Sequence, residues 1–479
     1  MIYLLLMVWV LTGVAEAATL YVNNSGSPAC DNTTAKASNS AASPWCSIGR
    51  AAWGNAVRAS ANASEAAAAG DTVRITAGTY STAEVVTSTQ TPVYNPTNSG
   101  TAGNPITFLA VGTVTLQTTA AASPTIGANT KNYITWSGPF YLDEANNATT
   151  ADTGVAVIGS CTGCVIEGVT IDGNGISAWD DIHSGIFLQD AISTTIRNNI
   201  IHDVYNPGGP LSNGINGTGV ISYNSDSTII EHNEIYNCGS GIFIKGITGG
   251  QSQDDARVRY NYIHDASLVG IDIWGSLNAW VYQNVVVNSN IGLLATGSTA
   301  DHDAAHFFNN TVVNNATSGL QGNGTSFDAV LTDLFQNNIV VNSPNAVFQS
   351  AWTPVATDPV DWVRNVYYNI TGSFARYDAV GNVNFTTWQG NGQDVDGTNG
   401  TDPLFVATGS GAAYYKLQGS SPALTVGRVI HSVGGTNGDT IPAGAYITGN
   451  ETIGIESTSD VTGMSFSGGV RFLGGVKVY

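Results

Sequence analysis

Apolar residues return along the middle of this chain at fixed offsets from asparagine. The segments IRNNIIHDV, IEHNEIYNC, VRYNYIHDA, VYQNVVVNS, FFNNTVVNN, FQNNIVVNS and VRNVYYNI align on Asn199, Asn233, Asn261, Asn284, Asn310, Asn338 and Asn365. Three residues before these stand Ile196, Ile230, Val258, Val281, Phe307, Phe335 and Trp362, and two after stand Ile201, Ile235, Ile263, Val286, Val312, Val340 and Tyr367. β-Branched and aromatic residues at fixed offsets, interrupted by Asn, predict short strands that meet at a tight corner. The Asn positions are separated by 34, 28, 23, 26, 28 and 27 residues. An uneven period of this size predicts one coil per repeat, with loops of differing length. VIEGVTIDG reads as an earlier coil, with Gly168 in the Asn position.

A third strand precedes each pair and opens on Gly: GIFLQ, GVISY, GIFIK, GIDIW, GLLAT and GLQGN. Stacking the coils turns each column into a ladder, and an Asn column pairs side-chain amides from coil to coil. Crossovers between parallel strands are right-handed. The predicted fold is therefore all-β, a right-handed parallel β-helix with three short strands per coil. Residues 18–447 form this solenoid, with an N-terminal cap over 18–70 and with 371–447 continuing or closing it. Residues 448–479 form a Gly- and β-rich tail.

The columns separate scaffold from candidate chemistry. Four residues after the ladder Asn stand Asp203, Asn237, Asp265, Asn288, Asn314, Asn342 and Asn369, with Asp172 in the same position after Gly168. A repeated Asx is a turn device, so Asp203 and Asp265 read as structural. His202 and His264 share a column with Tyr236, Val287 and Val313 and read as outer surface. Arg197, Glu231 and Arg259, two before the Asn, read as a surface ion-pair ladder.

In the Gly-led strand, alternation sends Ile186/Leu188, Val220/Ser222, Ile242/Ile244, Ile271/Ile273 and Leu293/Ala295 inward. The outward columns are Phe187, Ile221, Phe243, Asp272, Leu294, Gln321 and Gln189, Tyr223, Lys245, Trp274, Thr296. This places Lys245 between Tyr223 and Trp274, with Asp272 one coil over. An amine and a carboxylate among aromatic rings suit sugar recognition: rings stack on a pyranose, and the polar pair meets hydroxyls or a uronic carboxylate. The plainer alternative is a surface salt bridge. The candidate catalytic residues are Lys245 and Asp272. Gln189, Tyr223, Trp274 and His183 are candidate substrate contacts. Asp180 and Asp181, in the loop DGNGISAWDDIHSG, are candidate Ca²⁺ ligands through oxygen.

Charge and composition narrow the function. Only 10% of the 479 residues are charged, and 15 Lys+Arg stand against 35 Asp+Glu, a net charge of −20. That field disfavours nucleic acid and anionic membranes, and it repels polyanionic glycans unless a metal ion or a local basic spot intervenes. MIYLLLMVWVLTGVAEA ends on an A-x-A pattern and predicts a signal peptide over residues 1–17, although it lacks a basic start. The expected product is secreted or held at the cell surface, monomeric, and not membrane-inserted. Of five Cys, Cys30 and Cys46 flank a polar loop and are placed to pair; Cys161 and Cys164 form a lone C-x-x-C, read as a local disulfide or packed thiols rather than zinc.

The pieces LYVNNSGS, PWCSIGRAA, AGDTVRITAGTY and SGTAGNPITFLA, with FTTWQGNGQD, TDPLFV, YYKLQGSSPAL and IPAGAY, resemble the opening and closing coils of secreted β-helix proteins of the pectate-lyase-like superfamily. The resemblance implies a carbohydrate-related role with a polysaccharide substrate and, for the lyases, Ca²⁺ with a Lys or Arg base. Polygalacturonase-type N-T-D and G-H-G signatures and the D-P-H-E signature of β-helix alginate epimerases are absent. Three readings follow, in order: a polysaccharide lyase acting on uronate-containing glycans with Lys245 as base, a glycoside hydrolase using Asp272 with Asp181 or Asp190, and a non-catalytic glycan-binding protein.

Overall fold

The computed structural model describes residues 17–82, 84, 91–118, 124–143, 153–173, 184–204, 217–246, 253–296, 305–323, 333–349, 360–377, 381–406, 411–428, 440–441, 443–446 and 451–455. All but the last residue of the expected signal peptide, the loop carrying Asp180, Asp181 and His183, and most of the tail lie outside the described residues. No helix among the described residues is long and apolar enough to cross a membrane.

The chain winds as a right-handed parallel β-helix. Each repeating coil has one six-residue strand, such as Ser240–Lys245, and two three-residue strands, such as Arg257–Arg259 and Tyr262–His264. The six-residue strands stack in an 11-stranded sheet, which is parallel until its last pair. The short strands belong to a 22-stranded sheet covering the other two faces. Those faces merge because Ile106–Thr118 runs past the corner and pairs with both Ile134–Ser137 and Phe140–Asp143.

The corner between the short strands explains the sequence period. The residue before each ladder Asn is left-handed: Asn198, His232, Tyr260, Gln283, Asn309, Asn337 and Arg364 have φ of 53–57°. Turning there leaves the next peptide N–H pointing along the solenoid axis. The following coil's Asn meets it, as in Asn261 N–H to Asn284 Oδ1 at 3.0 Å, and the same oxygen accepts from Asn261 Nδ2 at 3.0 Å. Asn284 Nδ2 in turn donates to Val258 O and to Asn310 Oδ1. The seven Asn are all fully buried.

The ladder's start corrects one expectation. Glu167 pairs with Arg197 and Thr170 with Ile200, so Gly168 lies opposite Asn198 and Val169 opposite Asn199. Gly168, at φ 71°, occupies the left-handed position rather than the Asn position, and the Val169 N–H begins the ladder at Asn199 Oδ1, 3.0 Å. Asp172 likewise faces His202, one position away from the Asx column. At the other end Asp394 replaces the next Asn: its carboxylate accepts from Asn365 N–H, Asn365 Nδ2 and Tyr367 O–H.

The Asx column forms a second ladder on the exposed corner. Its members are left-handed, with φ of 50–58°, and Asn288, Asn314 and Asn342 each donate to the previous coil's Asx oxygen at 2.9–3.2 Å. The predicted charge ladder forms as separate pairs, Arg197–Glu167 and Arg259–Glu231, each at 2.6 Å.

Inside, aromatic rungs stack, as in Phe307–Phe335 at 4.6 Å and Phe335–Trp362 at 4.4 Å. Gly241 is required where the six-residue strand begins, because a Cβ there would meet Gly270 O at 2.5 Å and Ile263 Cγ2 at 2.6 Å. A helix at Ile48–Trp53 buries Trp53 at the N-terminal end, and a helix at Phe385–Gly390 buries Trp388 beyond Trp362. Cys30 and Cys46 are joined, whereas Cys161 and Cys164 are buried free thiols in the core. The segment expected to continue or close the helix adds the strand Thr398–Asn399 beside Val366 and Tyr367 and then turns back. Phe405, Ala423, Ala445 and Ile453 pack along the flank over Val285, Val313 and Val341, and Gly454 N–H reaches Tyr260 O at 2.7 Å.

Replacing Asn284 by Ala strands buried donors and acceptors on both neighbouring coils. At about 1–3 kcal/mol for an unsatisfied buried group, Asn284→Ala is expected to lower unfolding free energy by on the order of 3 kcal/mol or more. Asn314→Ala on the exposed ladder should cost under about 1 kcal/mol. Chemical denaturation of both variants followed by circular dichroism measures the difference.

Candidate functional site

The site is built on the outward positions of the six-residue strands. Alternation holds: Ile242 and Ile244 enter the core, while Phe243 and Lys245 point away. The outward column is not solvent-exposed, however. Phe187, Ile221 and Phe243 are at most 2% exposed and form an apolar cluster separate from the solenoid core. Tyr223 packs edge-on against Phe187 and Phe243 with centroids at 5.6 and 6.0 Å, and Trp274 is tilted over Phe243 at 6.1 Å.

Lys245 is in register with Tyr223 on one side and Trp274 on the other. Its Nζ lies 4.4 Å from the Trp274 ring centroid and 5.6 Å from that of Tyr223. Cation–π attraction over desolvated rings is worth about 1–2 kcal/mol and holds the ammonium in place without consuming its N–H donors. No carboxylate among the described residues lies within ion-pair distance of it.

Asp272 stands between Phe243 and Leu294 in register. Its side chain is half-buried, yet its neighbours in the column are apolar, and water is kept from most of the carboxylate. Burial pushes the carboxyl up from 3.8 to about 7, against a small lowering by the Thr296 hydroxyl, which donates at 3.4 Å. No cation offsets that burial. The plainer alternative, a Lys245–Asp272 salt bridge, is absent among the described residues: the ammonium lies over the indole instead.

Gln189 is half-buried beside Tyr223 and extends the fourth-position column by one coil. Asp180, Asp181 and His183 lie outside the described residues. Calcium takes 6–8 oxygen ligands, and Asp272 is the one acidic side chain within the described six-residue strands.

A second polar group was not singled out by the sequence. Asp172, His202 and Asp203 gather on another face with ligand-type atoms within 4.8 Å of one another. His202 Nδ1 lies 2.7 Å from Asp203 Oδ2 and 3.8 Å from Asp172 Oδ1. The same 2.7 Å contact recurs between His264 and Asp265. Rings of His202, Tyr236 and His264 stack at 4.9 Å spacings, half-buried rather than free on the surface. Recurrence on a left-handed corner makes the contact part of the scaffold. The signal for Asp172 was its register opposite His202, which becomes visible only once Gly168 is shifted by one position.

Residues 128–357 match the family model described as the right-handed β-helix region. That stretch is a right-handed β-helix region. It contains every described residue of the Lys245 face named above. No curated protein sequence matches the chain. Among solved structures, the chain is similar to XylC in complex with xylose, at 12% identity, TM-score 0.48 and 76% coverage of each chain. It is also similar to a hyperthermoactive exopolygalacturonase from Thermotoga maritima, at 14% identity and TM-score 0.45, covering 64% of this chain and 82% of that one. A third is pectate lyase Pel9A, at 15% identity and TM-score 0.41, covering 91% and 97%.

The raised Asp272 carboxyl has a thermodynamic signature. Between pH 3.8 and about 7 the unfolded chain releases this proton while the folded β-helix region keeps it. Stability from this group is therefore full below pH 3.8 and falls as pH rises to about 7. Asp272→Asn removes the effect: the variant should gain on the order of 2–4 kcal/mol over the parent at pH 8 and nothing at pH 4. Unfolding free energies across that range, measured by denaturant titration, test it; an equal shift at both ends would show that the carboxyl titrates normally.

Proposed function

We propose that the protein is a secreted, carbohydrate-active β-helix that cleaves uronate-containing polysaccharide by β-elimination on the Lys245–Asp272 face. The observation that carries this reading is an ammonium that has no carboxylate partner among the described residues, set over two aromatic rings, one coil from a desolvated carboxyl. In a chain of net charge −20, Lys245 is the local basic spot that an anionic sugar requires.

The chemistry assigns the two groups differently from the sequence expectation, which made Lys245 the base. β-Elimination needs a cation or donors on the uronate carboxylate and a base tuned near working pH. Lys245, whose N–H donors meet no carboxylate among the described residues, neutralises the substrate carboxylate. Asp272, raised to about 7, removes the C5 proton. The C5–H electrons form the C4–C5 double bond as the C4–O4 bond breaks, and the proton on Asp272 passes to the departing O4. Trp274 and Tyr223 supply the apolar surface for the pyranose.

The hydrolase reading needs two carboxylates about 5 Å or about 6.5–9.5 Å apart. Asp190 follows the strand Ser184–Gln189, three coils before Asp272, and at ~4.8 Å per coil that is about 14 Å. Asp181 lies outside the described residues. Export is supported by the apolar leader with its A-x-A end and by the Cys30–Cys46 disulfide, which suits an oxidising compartment.

Incubation with polygalacturonate, alginate and neutral glycans, followed by ultraviolet absorbance of unsaturated ends, tests the reaction. Turnover should rise with pH through about 7 as Asp272 ionises. Asp272→Asn should lose activity by about 100-fold or more, and Lys245→Ala should lose it with a raised KM that Lys245→Arg partly restores. Reducing ends released from neutral glycans without unsaturated product would establish hydrolysis instead; binding without turnover would establish a non-catalytic protein.

A further inference from the structure

Between the N-terminal cap and the first coil lies a cavity of about 380 Å³, remote from the Lys245 face, lined by Asn32, Ser47, Trp53, Ser81, Glu84 and Tyr94 among others. That volume is at the lower end of small-molecule sites, about 300–1,000 Å³, and suits one or two sugar rings. Its polar groups are held in fixed orientations. Asn32 Oδ1 accepts from the Cys46 and Ser47 N–H groups at 2.8 and 3.2 Å, and the Cys30–Cys46 disulfide ties the same loop down. The Asn32 amide is thereby oriented with its NH₂ uncommitted. Ser47 Oγ accepts from Arg50 N–H at 3.2 Å, which leaves its hydroxyl proton available.

Glu84 supplies the complementary acceptor. Its carboxylate takes one long contact, 3.4 Å from Arg58 N–H, while the Arg58 guanidinium donates to the carbonyls of Pro92 and Val93. Trp53 and Tyr94, stacked at 5.8 Å and each only 2% exposed, back the cavity, and the buried Trp53 Nε1–H has no acceptor among the described residues. The Glu84 carboxylate forms no ion pair among the described residues, although the Arg58 charge acts on it; it accepts from two adjacent hydroxyls, a fixed amide donates to a ring or hydroxyl oxygen, and a carboxylate in the lining disfavours a uronate.

We infer that this cavity is a binding site for a neutral sugar residue, separate from the face that would take the acidic one. The inference does not rest on the lyase reading, since it concerns binding at the cap alone.

Saturation-transfer NMR on the full chain with methyl β-xyloside, methyl β-galactoside and methyl α-rhamnoside tests it, with galacturonate as the acidic comparison. At least one neutral glycoside should bind at about 1–10 mM. Ser81→Trp, at an exposed position on the cavity rim, should weaken that binding at least about tenfold without moving the thermal midpoint. Glu84→Gln should weaken it as well. Any galacturonate signal should be unaffected by Ser81→Trp. No binding of the three neutral glycosides at ~50 mM, neutral binding that persists in Ser81→Trp, or galacturonate binding that Ser81→Trp abolishes would each overturn the inference.

Discussion

Every coil of this solenoid must turn sharply without leaving a buried peptide group unpaired, and the rest of the structure depends on how that is met. A left-handed residue makes the turn, and the Asn that follows supplies an oxygen for the N–H exposed on the previous coil. Because Asn both accepts and donates, the solution for one coil also serves the next. Strand register, the stacking of Phe307, Phe335 and Trp362, and the alignment of the outward columns all follow from that fixed spacing.

The outward face of the six-residue strands shows what such a rigid lattice permits. Phe187, Ile221 and Phe243 fill one column, and Asp272 interrupts it with a carboxyl that burial holds protonated up to about pH 7. An apolar side chain there would pack with its neighbours at no electrostatic cost. Asp394 is also raised, to about 6, but it terminates the ladder and receives three hydrogen bonds for that role. Among the described residues Asp272 receives one weak bond and no cation. Proteins tolerate such local cost where chemistry uses it.

The coil architecture was legible because its cause is local and repeats: each Asn, each apolar offset and each Gly-led strand appears several times. Alternation also placed Lys245 between Tyr223 and Trp274 correctly. Position along the strand could not tell whether Phe187 and Phe243, though pointing outward, would be exposed, since burial depends on what lies over them. It could not show that Lys245 would turn to the indole rather than to Asp272, a choice between two partners at similar reach. The one-position offset of Gly168 is hidden in the sequence because that coil has no Asn to mark its corner, and only strand register sets Gly168 opposite Asn198. The N-terminal cavity left no repeat, and its groups come together only through the Cys30–Cys46 link and the fold of the cap.

The Asn ladder has a direction. From Asn199 to Asn338 each side-chain amide donates one N–H to the next Asn oxygen toward the C-terminal end and the other to a carbonyl of the preceding coil, so the side-chain column is a polar chain whose two ends differ. It opens on a backbone N–H at Val169 and closes on the Asp394 carboxylate. An interior coil presents the same acceptor backward and the same donor forward as its neighbours. Copying such a coil lengthens the chain of dipoles while leaving both terminators as they are. Cutting at any rung exposes donors that no neighbouring residue is built to meet. Length in this solenoid is therefore free to change by insertion within the ladder and fixed at its ends.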